Sequence, residues 1–502
     1  MDASSGLISE GLAQVLPIET NEVFYNPAQV FNRDLSILLA SLFVRERFGL
    51  LSVKTRKGLL SEDGPVRVLE GLAASGLRSI RYAKELRFGK FEIFANDIES
   101  VAAERMRKNF AFNEVEVGVL NEDAVRHMYV TPQTYHVIDL DPYGSASIFL
   151  DAALFSVVSG GLLCITCTDG GVLCGNQPSM AFSRYGGFSL KKKYAHEMGL
   201  RVMLLAIHSA AARHRRGIRV LASFSIDFYF RVFVQVFDSP EKSLENLQST
   251  ALVLQCVGCE YFTVQPLASA GGKPGRLLCT NECPECASAL SIGGPMWAGP
   301  IYDPEFVDLA LELKTEEFPG ISSWTKIRGL LTGLKSELVD VPLFYTIPGL
   351  VQTLKCSPPK LGIFGQYLTQ LGYRVGASHR VPNSVKTDAP PSVVYDLLRM
   401  HVAIGGHAKE TGEPLVQNGE KFMENDELIR NDDLSVQQSA ETSACGLTVA
   451  QKLVSKPITT VMPDELELDF HQASKPARTL PVYMPNPTPF WGPKPAAKKS
   501  RT

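Results

Sequence analysis

The stretch YHVIDLDPYGS, residues 135–145, is an apolar run that ends in two carboxylates, Asp139 and Asp141. Pro142 and Tyr143 follow at once. A short apolar run that stops at a proline turn is typical of a buried strand in a parallel sheet. Ligands of such sheets bind outside the carboxyl ends of the strands. The stretch therefore predicts that Asp141 lies in a binding crevice; the alternative is an aspartate that only caps the next helix.

The residues after this strand suit a flat, polar ligand. Proline favours an extended conformation for the residue before it, which is Asp141. The Asp141 carboxylate, the Pro142 carbonyl and the Tyr143 ring can then converge on a nucleobase that carries an amino group. We predict that Asp141, Pro142 and Tyr143 are catalytic, with Asp139 as an ambiguous fourth member. Asp139 either contacts the edge of the base or satisfies backbone amides.

Strands and helices alternate on both sides of this stretch. Further strands are predicted over 66–70, 91–96, 115–120 and 161–167, and helices over 77–86, 100–112 and 194–213. Such alternation indicates a parallel sheet with helices on both faces. An antiparallel pair over 219–224 and 228–237 closes the predicted sheet, so the expected fold class is α/β.

The first three strand ends carry residues that suit a nucleoside. Small residues run from Gly71 to Gly76, where they let the backbone approach a ligand. Asp97 follows the second strand, 21 positions after Gly76, an offset at which a carboxylate can bind ribose hydroxyls. Asp123 follows the third strand and can accept from an adenine amino group, while Ala124 leaves room for the ring. Each acid alone can be a helix cap, but together the set predicts S-adenosylmethionine.

Two cysteine pairs predict a metal site. Cys256 and Cys259 form one C-x-x-C pair, and Cys283 and Cys286 form another. Two such pairs separated by a glycine- and proline-containing loop are typical of a structural zinc site with four thiolate ligands. Cys279 is an alternative ligand for one position. A closed four-sulfur site has no open position for catalysis, so we expect a structural role.

The charge of the chain is distributed unevenly. The formal net charge is −3, yet the stretch 407–442 alone holds nine acids and three bases. This acidic stretch is low in aromatic residues, which indicates disorder. Bases cluster at 191–193 and at 213–216, and such clusters hold phosphates. The alternative for each cluster is a solvated helix face.

The sequence also indicates the cellular compartment of the protein. No apolar segment reaches the roughly 20 residues of a membrane helix, and the acidic start does not resemble a signal or transit peptide. Ten cysteines then indicate a reducing compartment. The basic end KKSRT suggests nuclear import, so we expect the nucleus, with the cytoplasm as a second location and no mitochondrial leader.

These motifs together resemble the tRNA guanine-26 N2-dimethyltransferase family. The resemblance runs from Val23 to about Met400, through NPAQVFNRDLS, DLDPYGS, CPEC, GGPMWAGPIYD and KTDAP, and includes NPTPFWGPKP near the end. Tyr143 stands where the family commonly has phenylalanine, and Ala146 where a proline often follows the serine. The resemblance implies that Arg33 reaches the methionine carboxylate of the cofactor. It also places Arg78, with Asp97, Asp123 and Ala124, at cofactor positions.

The resemblance implies two successive methyl transfers to the exocyclic amine of guanine 26 of tRNA, with the base extruded from the stack. We expect a monomer that binds tRNA by shape and phosphates and binds neither DNA nor membrane. The predicted RNA-binding residues are Lys191, Lys192, Lys193, Arg213, Arg215, Arg216, Arg380 and Lys386. Two alternatives remain: methylation of another guanine in tRNA or ribosomal RNA, and a non-catalytic RNA-binding adaptor.

The expected organisation has four parts. Residues 1–238 form a Rossmann-like class I S-adenosylmethionine-dependent methyltransferase domain with an N-terminal extension. Residues 239–402 form a smaller zinc-containing α+β domain that binds tRNA. Residues 403–445 form an acidic disordered insert, and residues 446–502 form a C-terminal tail.

Overall fold

The computed structural model describes residues 7–17, 25–49, 64–278, 281–404 and 447–461. The acidic stretch 407–442 with its predicted disorder, the end of the tail and Cys279 lie outside these residues.

The N-terminal half alternates strands and helices. Its strands are β1 (Ile8–Glu10), β2 (Ala13–Val15), β3 (Val66–Glu70), β4 (Phe91–Asn96), β5 (Gly118–Leu120), β6 (Tyr135–Leu140), β7 (Val157–Cys167), β8 (Arg216–Ile226) and β9 (Tyr229–Asp238). Its helices are α1 (Val30–Gly49), α2 (Leu77–Glu85), α3 (Ser100–Phe112), α4 (Ala124–Val130), α5 (Leu150–Ser156), α6 (Gly170–Leu173), α7 (Pro178–Tyr185) and α8 (Ala195–Arg213).

The C-terminal half mixes short strands with helices. Its helices are α9 (Pro240–Leu247), α10 (Pro304–Glu312), α11 (Trp324–Lys335), α12 (Ile347–Leu354), α13 (Leu361–Gln370), α14 (Pro391–Ile404) and α15 (Val449–Ser455). Its strands are β10 (Thr250–Cys256), β11 (Phe262–Pro266), β12 (Leu290–Trp297), β13 (Tyr345–Thr346), β14 (Val375–Gly376) and β15 (Ser384–Thr387).

The main sheet has seven strands within the described residues, in the order β5–β4–β3–β6–β7–β9–β8. All strands are parallel except β9, which pairs antiparallel with both β7 and β8. The predicted α/β fold is therefore confirmed, including the antiparallel pair that closes the sheet. All six residues of β6 are buried, because helices cover both faces of a parallel sheet. Asp141 follows the carboxyl end of β6. The carboxyl ends of the parallel strands lie together at one edge of the sheet.

A buried arginine ties the N-terminal hairpin to the sheet. β1 and β2 pair antiparallel and lie on α2 and α3. The fully buried Arg81 side chain of α2 contacts Glu10 of β1 at 2.9 Å, Asp34 of α1 at 2.7 Å and Glu85 at 2.8 Å. Its Nη2 also donates to the carbonyl of Gly320, at 3.2 Å. A buried guanidinium is stable only when it is paired. The partners of Arg81 lie in β1, in α1, in α2 itself and at Gly320, so Arg81 joins these four segments.

The C-terminal half contains two small sheets in the part of the chain that is described. One is ordered β11–β10–β12 and carries the cysteine pairs, and the other is ordered β13–β15–β14. Both are antiparallel throughout. Across the described ranges, no helix combines the length and the hydropathy needed to cross a bilayer.

A buried ionic cluster joins the two halves. Lys386 Nζ lies 2.8 Å from Glu197 Oε1 of α8 and 2.9 Å from Glu337 Oε2. His379 contacts Glu337 at 2.5 Å and accepts from the backbone of Ser225 in β8, at 3.2 Å. The predicted contact of Lys386 with RNA is wrong in this structure, because the residue is 0% exposed. Its ammonium group instead pairs with two buried carboxylates.

The pairing of Glu337 makes stability depend on pH. Burial raises the pKa of Glu337, but Lys386 and His379 lower it by more, so it lies below the usual 4.5. Its stabilising contribution is therefore complete above about pH 4.5 and is lost as pH falls towards the depressed pKa. Glu337→Gln should lower the free energy of unfolding by about 3 kcal/mol at pH 7. Urea unfolding should show this difference from wild type shrinking below pH 4.5; a constant difference would contradict the ion pairing.

Candidate active site and metal centre

The crevice at the carboxyl ends of the strands brings Asp141, Tyr143 and Asp97 together. Burial and the nearby carboxylates of Asp141 and Asp97 raise the pKa of Tyr143 to about 12. The phenol therefore stays neutral at physiological pH. The Tyr143 side chain is 58% exposed, so its ring is available to stack on a ligand beside Asp141.

Asp141 is oriented through one of its two oxygens. Its Oδ2 forms an ion pair with Nη2 of Arg78 and lies 3.4 Å from the Asn32 amide. Arg78 in turn lies near the carboxylates of Glu70, at 3.5 Å, and Asp139, at 3.6 Å. Among the described residues these hydrogen bonds reach Oδ2 only. Oδ1 thus keeps lone pairs to accept a hydrogen bond from an amine.

Asp139 is a positioning residue, and its predicted place among the catalytic residues is corrected by its burial. Its carboxylate is 0% exposed and accepts from Tyr82 at 2.5 Å and from Arg231 at 2.9 and 2.6 Å. Burial raises the pKa of Asp139, but Arg231 and Arg78 lower it by more, so the group stays ionised. No substrate can reach a carboxylate enclosed in this way; it holds the strand end that carries Asp141.

The loop after Asp141 is fixed to the neighbouring strand. Gly144 adopts a positive φ of 81°, a conformation that favours glycine. Its N–H donates to Thr168 Oγ1 at 2.8 Å, and the Thr168 N–H donates to the Gly144 carbonyl at 2.8 Å. The Ala146 N–H donates to Cys167 Sγ at 3.4 Å. The loop therefore has several anchors although it lacks a proline at Ala146. Pro142 is buried beside Asp141, and a role for its carbonyl stays a prediction.

The two predicted cofactor acids lie at neighbouring strand ends. Asp97 Oδ2 accepts from the Ala74 N–H at 2.9 Å, so it is tied to the small-residue turn after β3. Asp123 is exposed and caps α4, accepting from the Val125 N–H at 2.8 Å. Ile98 is 65% exposed next to Asp97. An exposed apolar side chain next to Asp97 fits an adenosine group, although capping also accounts for Asp123.

The glycines of the turn have packing roles of their own. Gly76 caps α2 with φ 76°, and a Cβ there would lie 2.6 Å from the ring of Phe110. A Cβ on Gly71 would lie 2.8 Å from Leu140. Ala124 is buried at the start of α4. Gly76 must be small because α3 packs against it, and Gly71 because Leu140 of β6 does. Contact of Gly71, Gly76 and Ala124 with a cofactor stays a prediction.

The two predicted cofactor arginines are engaged with protein carboxylates. Arg33 is 8% exposed, and its Nε donates to Glu10 Oε1 at 2.6 Å. Arg78 is 4% exposed and pairs with Asp141. A cofactor carboxylate would have to share these guanidinium groups with Glu10 and Asp141.

The predicted RNA-binding residues divide between the two edges of the sheet. Residues 191–193 precede α8 at the crevice edge, and Lys192 lies 3.6 Å from Glu260. Arg380 is also at this edge, because its Nη2 donates to the Asp227 carbonyl at 3.0 Å, in the turn after β8. Residues 213–216 lie at the opposite edge, since β8 begins there and its 11 residues span about 33 Å.

The cluster at the opposite edge is partly neutralised. Arg216 is buried at 4% exposure and pairs with Asp238 at 2.6 Å. Its predicted contact with RNA is therefore wrong in this structure. Arg213 is exposed and pairs with Asp151 at 2.7 Å, and Arg215 is exposed. The structure thus does not bring this cluster together with the crevice.

The two C-x-x-C pairs converge, as predicted. The sulfur atoms of Cys256, Cys259, Cys283 and Cys286 all lie within 4.8 Å of one another, and all four residues are buried. The Cys256–Cys286 and Cys259–Cys283 sulfur distances are 3.4 and 3.7 Å. A tetrahedral zinc ion with four Zn–S bonds separates its sulfurs by about 3.8 Å, so the cluster fits zinc.

Backbone N–H groups donate hydrogen bonds to the sulfur atoms of the cysteine cluster. The N–H groups of Gly258 and Cys259 donate to Cys256 Sγ at 3.2 and 3.3 Å. The Glu285 N–H donates to Cys283 Sγ at 3.4 Å. Such donors stabilise thiolates, which are the form that binds zinc.

Sequence reasoning missed the polar residues that support the site. Arg231 of β9 donates to Asp139 and to Thr166 Oγ1, and Ser36 of α1 contacts both Arg231 and Arg78. A signal for Arg231 was present, because a single arginine within an apolar strand is almost always paired. Its partner is 92 residues away, and sequence spacing carries no information about that.

Comparison with known proteins gives one consistent family. The family profile described as N2,N2-dimethylguanosine tRNA methyltransferase matches residues 7–399. The chain is 39% identical to tRNA (guanine(26)-N(2))-dimethyltransferase of Mus musculus, over 78% of this chain and 67% of that protein. It is 36% identical to the Schizosaccharomyces pombe protein of the same name, over 98% of this chain and 93% of that protein.

A solved structure and a further relative extend the comparison. The structure of Trm1 from Pyrococcus horikoshii with S-adenosyl-L-methionine is similar, with a TM-score of 0.64 and 29% identity. The match covers 77% of this chain and 98% of that one. A Saccharomyces cerevisiae relative, 32% identical over 78% of both chains, is named as mitochondrial. Relatives of this chain therefore differ in cellular location.

Asp139 and Asp141 differ in burial although they are two residues apart, which gives a matched pair of variants. Asp139→Asn leaves Arg231 without its charged partner, so the free energy of unfolding should fall by about 3–5 kcal/mol. Asp141→Asn removes a half-buried group and should cost about 1 kcal/mol or less. Chemical denaturation measures both, and equal losses would show that Asp139 is not the positioning group.

Metal content tests the cysteine cluster. Purified protein should hold about one zinc ion per chain by elemental mass spectrometry, because four thiolates bind one ion. Cys283→Ser should lose the zinc and lower the melting temperature, whereas the control Cys356→Ser, outside the cluster, should keep both. Full thermal stability after removal of the zinc would contradict a structural role.

Proposed function

This chain belongs to the N2,N2-dimethylguanosine tRNA methyltransferase family, and we propose on that basis that it dimethylates the exocyclic N2 amine of guanine 26 in tRNA. It is an S-adenosylmethionine-dependent enzyme, a tRNA (guanine(26)-N(2))-dimethyltransferase. The reaction passes through a monomethyl intermediate. The observation that carries the proposal is the crevice that brings Asp97, after β4, close to Asp141 and Tyr143, after β6.

The chain's own residues orient the amine. The amine of guanine is a poor nucleophile, because its lone pair is delocalised into the ring. A hydrogen bond from the amine to Asp141 Oδ1 would hold its lone pair towards the methyl group and assist loss of its proton. Arg78 and Asn32 hold Oδ2 and so set the direction of Oδ1. S-adenosylmethionine supplies the electrophilic methyl group when it is bound.

The opening of the crevice leaves room for two successive methyl transfers. The product of the first transfer is a secondary amine with one hydrogen left for Asp141. Gly144, which has no atom within 4 Å of a Cβ added to it, keeps the loop open beside Tyr143. The Tyr143 ring would stack on the base, worth about 1–3 kcal/mol. The pocket can then hold the methylated base for the second transfer.

Basic residues at the crevice edge support tRNA binding. Lys191 and Lys193 are exposed, and Arg380 is partly exposed. These charges suit phosphates that flank the target base. Arg213 and Arg215 at the opposite edge would contact a second part of a folded RNA, since they lie too far from the crevice to hold the same nucleotides.

We propose a methyltransferase domain over 1–238, a structural zinc ion in a tRNA-binding domain over 239–402, the insert over 403–445 and the tail over 446–502. We also propose that the protein acts as a monomer on RNA, not DNA. The basic C-terminal end supports a nuclear location.

Replacement of Asp141 tests the catalytic assignment. Asp141→Asn keeps the size of the side chain but removes the charge, so methyl transfer should fall by about 100-fold or more. Affinity for tRNA should change less than about threefold, because phosphates dominate binding. Single-turnover transfer and filter binding measure the two quantities. A large loss of tRNA affinity would instead assign Asp141 to binding.

The substrate is tested by incubating purified protein, labelled cofactor and one unmodified tRNA, followed by nucleotide mapping. Label in dimethylguanosine at position 26 is the expected result. Label at another guanine would identify a different site within the same chemistry, and no label would contradict the enzyme assignment.

A further inference from the structure

Large apolar side chains are exposed on the segment that follows Asp141 and on α7. Tyr143 is 58% exposed, Ile148 is 71% exposed and Phe182 is 56% exposed. Ile148 lies in a short 3-10 helix, Ser147–Phe149, just after the Asp141 loop, and Phe182 lies on α7. We call Ile148 and Phe182 the apolar rim.

The segments that carry the apolar rim are held next to the crevice. α7 packs against the 3-10 helix that carries Ile148. The Tyr185 hydroxyl, at the end of α7, donates to Asp169 at 2.8 Å, two residues after β7. Phe182 lies one helical turn before Tyr185, so the two Cα atoms are about 5 Å apart. The rim is therefore fixed to the same strand end that anchors the catalytic loop through Thr168.

The exposure of Phe182 is not a consequence of poor packing of α7. Ala181 and Tyr185 on the same helix are 0% and 3% exposed, so the helix has a well-defined buried face. Phe182 lies outside that face. Clustered exposed apolar side chains in a folded chain commonly mark a binding surface, and the segments that carry this cluster are anchored at the ends of β6 and β7, where Asp141 also lies.

A base can enter this crevice only after it leaves its stack. Extrusion breaks stacking on both sides, at a cost of a few kcal/mol, and leaves a gap in the RNA. Proteins that distort nucleic acids lower this cost by placing apolar side chains against the exposed faces of the neighbouring bases. Aromatic side chains can stack on any base in this way, because every base has a flat face.

We propose that Ile148 and Phe182 pack against the bases that flank the extruded guanine and so stabilise the open tRNA. This inference rests on the proposed function. The occupant of the rim is RNA, because Lys191, Lys193 and Arg380 at the same edge supply positive charge for its phosphates. Tyr143 then stacks on the guanine itself, while the rim fills the gap that the guanine leaves.

The test compares Ile148→Ala and Phe182→Ala with two matched controls. Phe112→Ala and Val130→Ala remove side chains that are 47% and 66% exposed at the ends of α3 and α4, away from the crevice edge. Because all four side chains are exposed, every variant should keep its melting temperature and its affinity for S-adenosylmethionine. These two measurements exclude a folding defect.

Two readouts are needed. The first is the single-turnover rate of methyl transfer to tRNA, which should fall about 5- to 100-fold in the rim variants and stay at the wild-type value in the controls. The second is the fluorescence of 2-aminopurine placed next to the target guanine, with S-adenosylhomocysteine bound to prevent turnover. Wild type should change this fluorescence on binding, and the rim variants should reduce the change.

The outcomes separate the two proposals. A slower rate together with a smaller fluorescence change supports the rim. Unchanged rates, or slow rates with the full fluorescence change, overturn it, because extrusion would then not depend on these side chains. Wild-type protein that transfers no methyl group to tRNA would instead overturn the proposed function itself.

Discussion

The buried carboxylate of Asp139 is the constraint on which the site depends. A charge inside a parallel sheet is stable only if its partners enclose it. Arg231 of β9 and Tyr82 of α2 do so directly, and Arg78 extends the network to Asp141. Two elements far apart in the chain, α2 and β9, therefore converge at the end of β6. The loop that carries Asp141 begins one residue beyond β6, so its position follows from this network.

The basic residues at the two edges of the sheet differ in their surroundings. At the crevice edge, the loop after β6 is tied to Thr168 after β7, while Asp97 is tied to the turn after β3. The basic residues at this edge and the apolar rim face the same bound RNA in our proposal. At the opposite edge, Arg216 and Arg213 pair with acids. Positive charge in the sequence therefore does not by itself identify the surface that holds RNA.

Much of the fold was predictable, because the apolar strand patterns and the two C-x-x-C pairs are local signals. The alternation of strands and helices and the convergence of Cys256 with Cys286 follow from those signals. The roles of Lys386 and Asp139 were not predictable, since both are set by partners that are distant in the sequence. Arg33 likewise pairs with Glu10 of an N-terminal hairpin that has only short strands.

The sequence by itself determined the α/β class, the family resemblance, the four-sulfur cluster and the place of Asp141 at a strand end, because each depends on residue type and short spacing. Only the tertiary structure decided which charges are available to a ligand. It enclosed Asp139, Lys386 and Arg216, and it left Ile148 and Phe182 exposed. The physical reason is that burial and ion pairing depend on which distant segments pack together, and local sequence does not specify that packing.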